Sequence, residues 1–196
     1  SFINAYFPGN YKVIPNGVDL KKFKTQANPI PEYKDDKINI LFVGRMEKRK
    51  GLRYLLKAYA SLRWKYQNIR LIIVGSEELD AECNKIINEH SLHDIVITGP
   101  VSEEQKLQYF SSADIFCTPA TGQESFGIVL LEAMASNIPI IATNIDGYAS
   151  VVTDQIEALL VSPKDHLSLE NAIIKIIENP EMKLTLIKNA STKVKS

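Results

Sequence analysis

The chain alternates between short apolar runs and longer segments in which apolar residues recur every three or four positions. The longer segments predict helices, and the runs have the length of strands without a polar face, which is typical of parallel strands covered on both sides. The predicted strands are Ile38–Gly44, Leu71–Gly75, Ile95–Gly99, Asp114–Pro119, Ile138–Thr143 and Ala158–Pro163. The predicted helices are Gly51–Tyr66, Ala81–His90, Glu103–Ser112, Ile128–Ala135, Tyr148–Val152, Leu167–Glu178 and Pro180–Val194. The pattern predicts an α/β fold with a doubly wound parallel sheet of about six strands.

The first 36 residues are rich in turn-forming residues and precede this regular pattern. Tyr11 to Ile14 form a predicted short strand, followed by a tight turn at Pro15, Asn16 and Gly17, because glycine adopts positive φ freely and asparagine tolerates it. Asn28 to Asp36, with two prolines and a charged run, is predicted to be a surface loop.

The segment GQESFGIVLLEAMA, Gly122 to Ala135, carries the clearest candidate chemistry. Its helix is apolar all round except for Glu132, which predicts burial on every face and a partner for the Glu132 carboxylate. At the start of that helix, free backbone amides would point toward an anion; these are the amides of Ser125, Phe126, Gly127 and Ile128. A nucleoside diphosphate, with phosphate at the helix start and ribose deeper, would satisfy both features. The alternative is a core helix with a salt-bridged Glu132 and a solvated Glu124.

A second candidate anion site lies in the loop GRMEKRKG, Gly44 to Gly51, which follows a predicted strand. The loop places several cations just before a helix start, where the helix dipole disfavours positive charge; they are Arg45, Lys48, Arg49 and Lys50. A bound diphosphate would reverse that effect. The alternative is a solvated basic turn.

Glu124 and Glu132, with seven residues between them, resemble the signature of the retaining, two-domain nucleotide-sugar glycosyltransferases of the GT-B type. ESFGIVL and EAMA are especially similar to the corresponding segments of the phosphatidylinositol mannosyltransferases in that family. The resemblance implies that Glu124 meets the transferred sugar, that Glu132 binds the ribose hydroxyls, and that the amides between them hold sugar and phosphate.

The same resemblance covers almost the whole chain and assigns further residues. It makes Arg45 and Lys50 the cations that neutralise the donor diphosphate, in the loop opened by Gly44, so that Arg45, Lys50 and Glu124 are the expected catalytic residues. The backbone around Val101 is expected to face the nucleobase, with Lys106 in reach. Weaker assignments fall on Ser76, after the second strand, and on IPNGVD at the interdomain hinge. DGYASVV, Asp146 to Val152, departs from the glycine-rich phrase of many relatives.

Composition excludes several other classes of function. The 23 basic and 23 acidic residues balance, so nothing draws the chain toward nucleic acid or an anionic membrane. Two cysteines and three scattered histidines give no disulfide framework and no metal-ligand spacing, which favours a reduced, cytoplasmic setting. No apolar run reaches the roughly 18 residues that a transmembrane helix needs.

With the predicted fold, the resemblance implies that residues 1–196 are the Rossmann-like, C-terminal, donor-binding half of such an enzyme, with residues 1–36 next to the hinge. The N-terminal acceptor domain is expected to be absent from this chain, so the fragment alone should be inactive. Any contact with the inner face of the membrane would be peripheral and made by that domain. The donor is expected to be a GDP- or UDP-sugar, most simply mannosyl or glucosyl, with no metal or other cofactor. The alternatives are a non-catalytic nucleotide-sugar-binding module, or an epimerase or phosphorylase of the same two-domain plan.

Overall fold

The computed structural model describes residues 17–25, 28–75 and 78–195. Within these ranges the strands are β1 (Ile38–Val43), β2 (Ile69–Val74), β3 (Ile95–Ile97), β4 (Ile115–Thr118), β5 (Ile140–Thr143) and β6 (Leu159–Val161). The helices are α1 (Leu20–Thr25), α2 (Leu52–Lys65), α3 (Ala81–Glu89), α4 (Glu103–Ser112), α5 (Ile128–Ala135), α6 (Asp146–Ala149), α7 (His166–Glu178) and α8 (Pro180–Lys193). Short 3-10 turns span Pro31–Tyr33 and Lys48–Lys50.

The strands form one parallel sheet in the order β3-β2-β1-β4-β5-β6, which confirms the predicted fold class. β1 pairs with β2 along its whole length, from Ile38 beside Ile69 to Val43 beside Val74, and pairs with β4 on its other side. The strand order therefore reverses between β1 and β4. In open parallel sheets, the crevice outside the carboxyl ends of the strands at such a switch point is the usual ligand site.

Alternate residues of the strands supply two separate cores, one on each face of the sheet. Ile40 and Phe42 point into a core covered by α2, α3 and α7, whereas Leu41 points into the opposite core with Phe110 of α4 and Met134 of α5. Because strand side chains alternate between faces, a strand without polar positions must be covered on both sides. This explains why the apolar runs located the strands correctly.

The predicted helix bounds agree with the observed ones to within one residue except at α6, and α5 differs from its prediction in burial. The helix expected at Tyr148–Val152 is α6, which begins at Asp146 and ends at Ala149, because the amides of Val151 and Val152 both donate back to the Tyr148 carbonyl and turn the chain. The helix α5 has the expected bounds but is not buried on every face, since Ile128 is 40% exposed.

Among the apolar residues of α5, burial follows a single stripe. Leu130, Ala133 and Met134, at helical spacing, are buried against the sheet, while Val129 and Leu131 are only half-buried. Hydrophobicity all round the helix therefore overstates how much of it the domain covers.

The first 36 residues contain more regular structure than expected, since α1 lies within them. The predicted strand Tyr11–Ile14 and most of the turn after it lie outside the described residues, as does Ser76.

Candidate functional site

The loops after β1 and β4 meet at the switch point of the sheet. The amide of Thr121, after β4, donates to the Arg49 carbonyl in the β1 loop over 2.7 Å. Gly51, with φ of 75°, lets the two loops approach, because a Cβ atom there would lie only 2.0 Å from the Pro119 carbonyl oxygen. The fold thus brings the two predicted anion-binding segments, the loop after β1 and the loop after β4, side by side.

The start of α5 is fixed by a glycine packed against a tyrosine. Gly127 has φ of 69°, and a Cβ atom there would lie 2.7 Å from the ring of Tyr148, which is fully buried and whose hydroxyl lies 2.7 Å from the Thr118 hydroxyl. Among the described residues, no protein acceptor receives a hydrogen bond from the four amides at residues 125–128. The structure therefore leaves at the start of α5 the free amides that the sequence predicts.

Glu124 is the centre of an ion-pair cluster between the two loops. Its Oε1 atom lies 2.5 Å from Nη1 of Arg49 and 2.7 Å from Nζ of Lys50, and its side chain is only 11% exposed. The alternative of a solvated Glu124 is therefore wrong. Lys50 and Glu124, two of the three predicted catalytic residues, are in direct contact.

Arg45, the third predicted catalytic residue, is on the outside of this cluster. Its side chain is 78% exposed and pairs with Oε1 of Glu47 over 2.9 Å, while Oε2 of Glu47 holds Nε of Arg49 over 2.6 Å. The structure thus brings Arg49, not Arg45, to Glu124. The resemblance assigned a role to Arg45 and none to Arg49, although both lie in the same basic run.

Glu132 has the partner that its predicted burial required. Its Oε1 atom lies 2.7 Å from Nζ of Lys106, which also contacts Glu103 over 2.9 Å. Its other oxygen, Oε2, is buried and has no hydrogen-bond partner. Burial raises the pKa of Glu132, and Lys106 offsets this only in part. One oxygen of a buried carboxylate is therefore left to accept hydrogen bonds from something else.

The remaining predicted residues lie at the same edge with less specific contacts. Val101 is half-buried in the loop before α4, and Ser102 caps that helix by accepting from the Gln105 amide. The amide of Gly44 already donates to the Val74 carbonyl over 2.9 Å, so it is not free for a ligand. Gly44 therefore shapes the loop by its backbone position.

The segment that departs from the family pattern, Asp146 to Val152, packs directly on the Glu124 loop. A Cβ atom on Gly147 would lie 1.8 Å from the Glu124 carbonyl oxygen, so only glycine fits there. An open pocket of about 480 Å³ lies between the two segments and is lined by residues 122–124 and 144–147. Sequence reasoning did not assign Gly147 to the site, although its place after the fifth strand was a signal.

The described parts of the chain contain no group of three or more His, Cys, Asp or Glu side chains able to hold a metal ion. None of the helices in those ranges has both the length and the hydrophobicity that crossing a bilayer requires.

Comparison with known proteins identifies the family. The model of the family "Glycosyl transferases group 1" matches residues 23–193. A phosphatidyl-myo-inositol mannosyltransferase of Mycolicibacterium smegmatis is 34% identical over 182 residues, which are 92% of this chain and 46% of that protein. The chain thus spans about half the length of the curated relatives it matches.

Two solved structures show the same fold. The sucrose-phosphate synthase of Thermosynechococcus elongatus matches with a TM-score of 0.80 and 28% identity, over 99% of this chain and 51% of that one. Anabaena Alr3699/HepE in complex with UDP-glucose matches with a TM-score of 0.81 and 22% identity, over 93% of this chain and 52% of that one. With the family match covering most of its length, this chain belongs to the group 1 glycosyltransferases.

Proposed function

We propose that this chain is the C-terminal, donor-binding half of a retaining glycosyltransferase that transfers a hexosyl group from a nucleoside diphosphate sugar. The spacing of Glu124 and Glu132 supports this proposal. So does the match to a relative of which the chain covers 46% of the length. The mannosyltransferase name of one relative and the UDP-glucose complex of one structure favour mannosyl or glucosyl donors.

The observation that carries the proposal is the unpaired Oε2 atom of Glu132. A buried carboxylate oxygen without a partner is costly, and among the described residues the cation paired with Glu132 is Lys106, which already holds Oε1. Two neighbouring hydroxyl groups of a ribose are suitable donors to such an oxygen once the Glu132 side chain turns toward the ligand, because Oε2 is inaccessible to solvent in the free chain. Glu132 lies five residues into α5, about 7 to 8 Å along the helix axis from Gly127. A diphosphate at the start of α5 would put its ribose at that depth.

The diphosphate site combines backbone amides with two cations. Lys50 approaches it as a half-buried point charge, and Arg45, on the same loop, is exposed enough to turn its guanidinium toward a phosphate. The negative charge that develops on the departing diphosphate would be stabilised by these groups and by the free amides at residues 125–128. We expect no metal ion or other cofactor to be required for this task.

Glu124 would orient the transferred sugar. Cations hold its Oε1 atom, and among the described residues nothing pairs with its Oε2 atom, which is therefore left for a sugar hydroxyl. The acceptor and part of the catalytic cleft would be supplied by a facing N-terminal domain. The chain by itself is then expected to bind donor weakly and to transfer nothing.

Titration calorimetry of the chain with UDP, GDP, UDP-glucose and GDP-mannose tests the proposal. We expect at least one nucleotide pair to bind, and Glu132→Gln to weaken both members of that pair. Glu157→Gln is a matched control, because Glu157 is similarly buried and ion-paired, to Lys193, but lies on the turn before β6. The proposal is wrong if none of the four ligands binds, or if Glu132→Gln and Glu157→Gln have the same effect on affinity.

A further inference from the structure

Arg49 joins the β1 loop to the β4 loop through both its backbone and its side chain. Its carbonyl accepts from the Thr121 amide, and its Nη1 atom donates to the Gln123 carbonyl over 3.0 Å as well as to Oε1 of Glu124. Its Nε atom donates to Oε2 of Glu47 over 2.6 Å. With Nε and Nη1 both engaged, the guanidinium is held in an orientation that places Nη1 against Glu124.

These contacts fix one oxygen of the Glu124 carboxylate and leave the other open. Oε1 receives the hydrogen bond from Arg49 and the ammonium of Lys50 at the same time, so the carboxylate cannot rotate without losing both. A flexible lysine alone would not set that angle, because an ammonium is a point charge, whereas a guanidinium has fixed donor directions. Arg49 is therefore the group that determines where Oε2 of Glu124 points.

We propose that Arg49 is a positioning residue for Glu124 and that, through this contact, it favours donors that carry a sugar over the bare nucleoside diphosphate. The inference rests on the proposed function, in which Glu124 meets the sugar and Lys50 and Arg45 meet the diphosphate. A correctly oriented Glu124 adds a sugar contact. It also keeps a negative charge beside the cations, which disfavours a diphosphate that brings no sugar to the site.

The test is the preference of the chain for sugar-bearing donor, measured as the ratio of Kd values for UDP and UDP-glucose or for GDP and GDP-mannose, whichever pair binds. We expect Glu124→Gln and Arg49→Gln each to reduce this preference roughly tenfold, the loss typical of a hydrogen bond to a charged group. The double variant should lose no more than either single variant, because both changes remove the same contact. Arg49→Lys, which keeps the charge without the fixed donor direction of Nη1, should retain only part of the preference.

Arg45→Gln is the matched control, since Arg45 shares the loop and the charge but contacts Glu47 and not Glu124. This variant should weaken the binding of nucleotide and of nucleotide sugar by the same factor. In the double variant with Glu124→Gln, the two losses of binding free energy should add. The inference is overturned if Arg49→Gln and Arg49→Lys both weaken the two ligands in parallel, or if the effects of Arg49→Gln and Glu124→Gln on the ratio add. If the unchanged chain binds neither pair, the proposed function fails and this inference fails with it.

Discussion

Replacing Gly127 with alanine would disturb the start of α5 in two ways. A non-glycine residue in the left-handed conformation that Gly127 adopts costs about 1–2 kcal/mol. The new Cβ atom would also lie 2.7 Å and 2.8 Å from two carbon atoms of the Tyr148 ring. That ring is fully buried and held by Thr118, so it cannot move aside freely, and such overpacking costs about 1–3 kcal/mol.

We expect Gly127→Ala to lower the free energy of unfolding by about 2–5 kcal/mol, the sum of these two costs. Urea unfolding followed by circular dichroism measures it. Gly44→Ala is the matched control, because its Cβ atom would come no closer than 3.5 Å to a neighbouring side chain. That control should change the free energy of unfolding by no more than about 0.5 kcal/mol.

A second background separates the two costs. In a Tyr148→Leu chain the smaller side chain leaves room for the Cβ atom, so adding Gly127→Ala should cost only the left-handed part, about 1–2 kcal/mol. If the penalty is the same in both backgrounds, the ring contact is not its source. If Gly127→Ala is as stable as the unchanged chain, the account of how α5 begins is wrong.

Three further predictions concern the buried polar groups and the cations. Burial raises the pKa of Glu132 above its ordinary value of 4.5, so the stability of the unchanged chain relative to Glu132→Gln should be highest below about pH 4.5 and fall as pH rises through the raised pKa. Urea unfolding of both chains from pH 4 to 8 checks this, and a stability difference that grows with pH would contradict it. Thr118→Val leaves the buried Tyr148 hydroxyl unpaired and should cost about 1–3 kcal/mol of unfolding free energy. Adding Tyr148→Phe should recover most of that loss, and equal losses in the single and double variants would refute the hydrogen bond between the two hydroxyls. If Lys50 and Arg45 bind the diphosphate, nucleotide affinity measured by calorimetry should fall severalfold between about 0.05 and 0.5 M NaCl. Binding that does not change with salt would show that these cations do not contribute to it.

Local signals in the sequence were sufficient for most of the fold. The helix α4 begins at Glu103 and ends at Ser112 as predicted, because Ser102 and Gln105 form a reciprocal cap that depends only on neighbouring residues. The apolar strands needed only their own composition. By contrast, Tyr148 of α6 packs its ring on Gly127 at the start of α5, and no local pattern contains that contact.

The candidate site shows the same division. The burial of Glu132 on an apolar helix required a partner, but Lys106 lies on another helix, and only the packing of α4 beside α5 brings the two together. The basic run from Arg45 to Lys50 contained the right kind of residue. Which arginine faces Glu124 is decided by the 3-10 turn at Lys48–Lys50, where a shift of a few residues turns a side chain from the loop to the solvent.

In the free chain, the cations of the β1 loop are already paired with carboxylates, which weakens the case for a bound anion there. Cations before the start of α2 are unfavourable by themselves, and from sequence alone a bound diphosphate was the natural compensation. The structure supplies another, because Glu47 and Glu124 already pair with Arg45, Arg49 and Lys50. The basic run by itself is therefore weak support for a ligand. The stronger support is the unpaired oxygen of Glu132 together with the free amides at residues 125–128, since the described part of the protein satisfies neither of them. A donor that binds to the Glu132 oxygen and to these amides would also compete with Glu124 for Lys50. The free energy of donor binding should therefore depend on the position of Glu124 as much as on the cations.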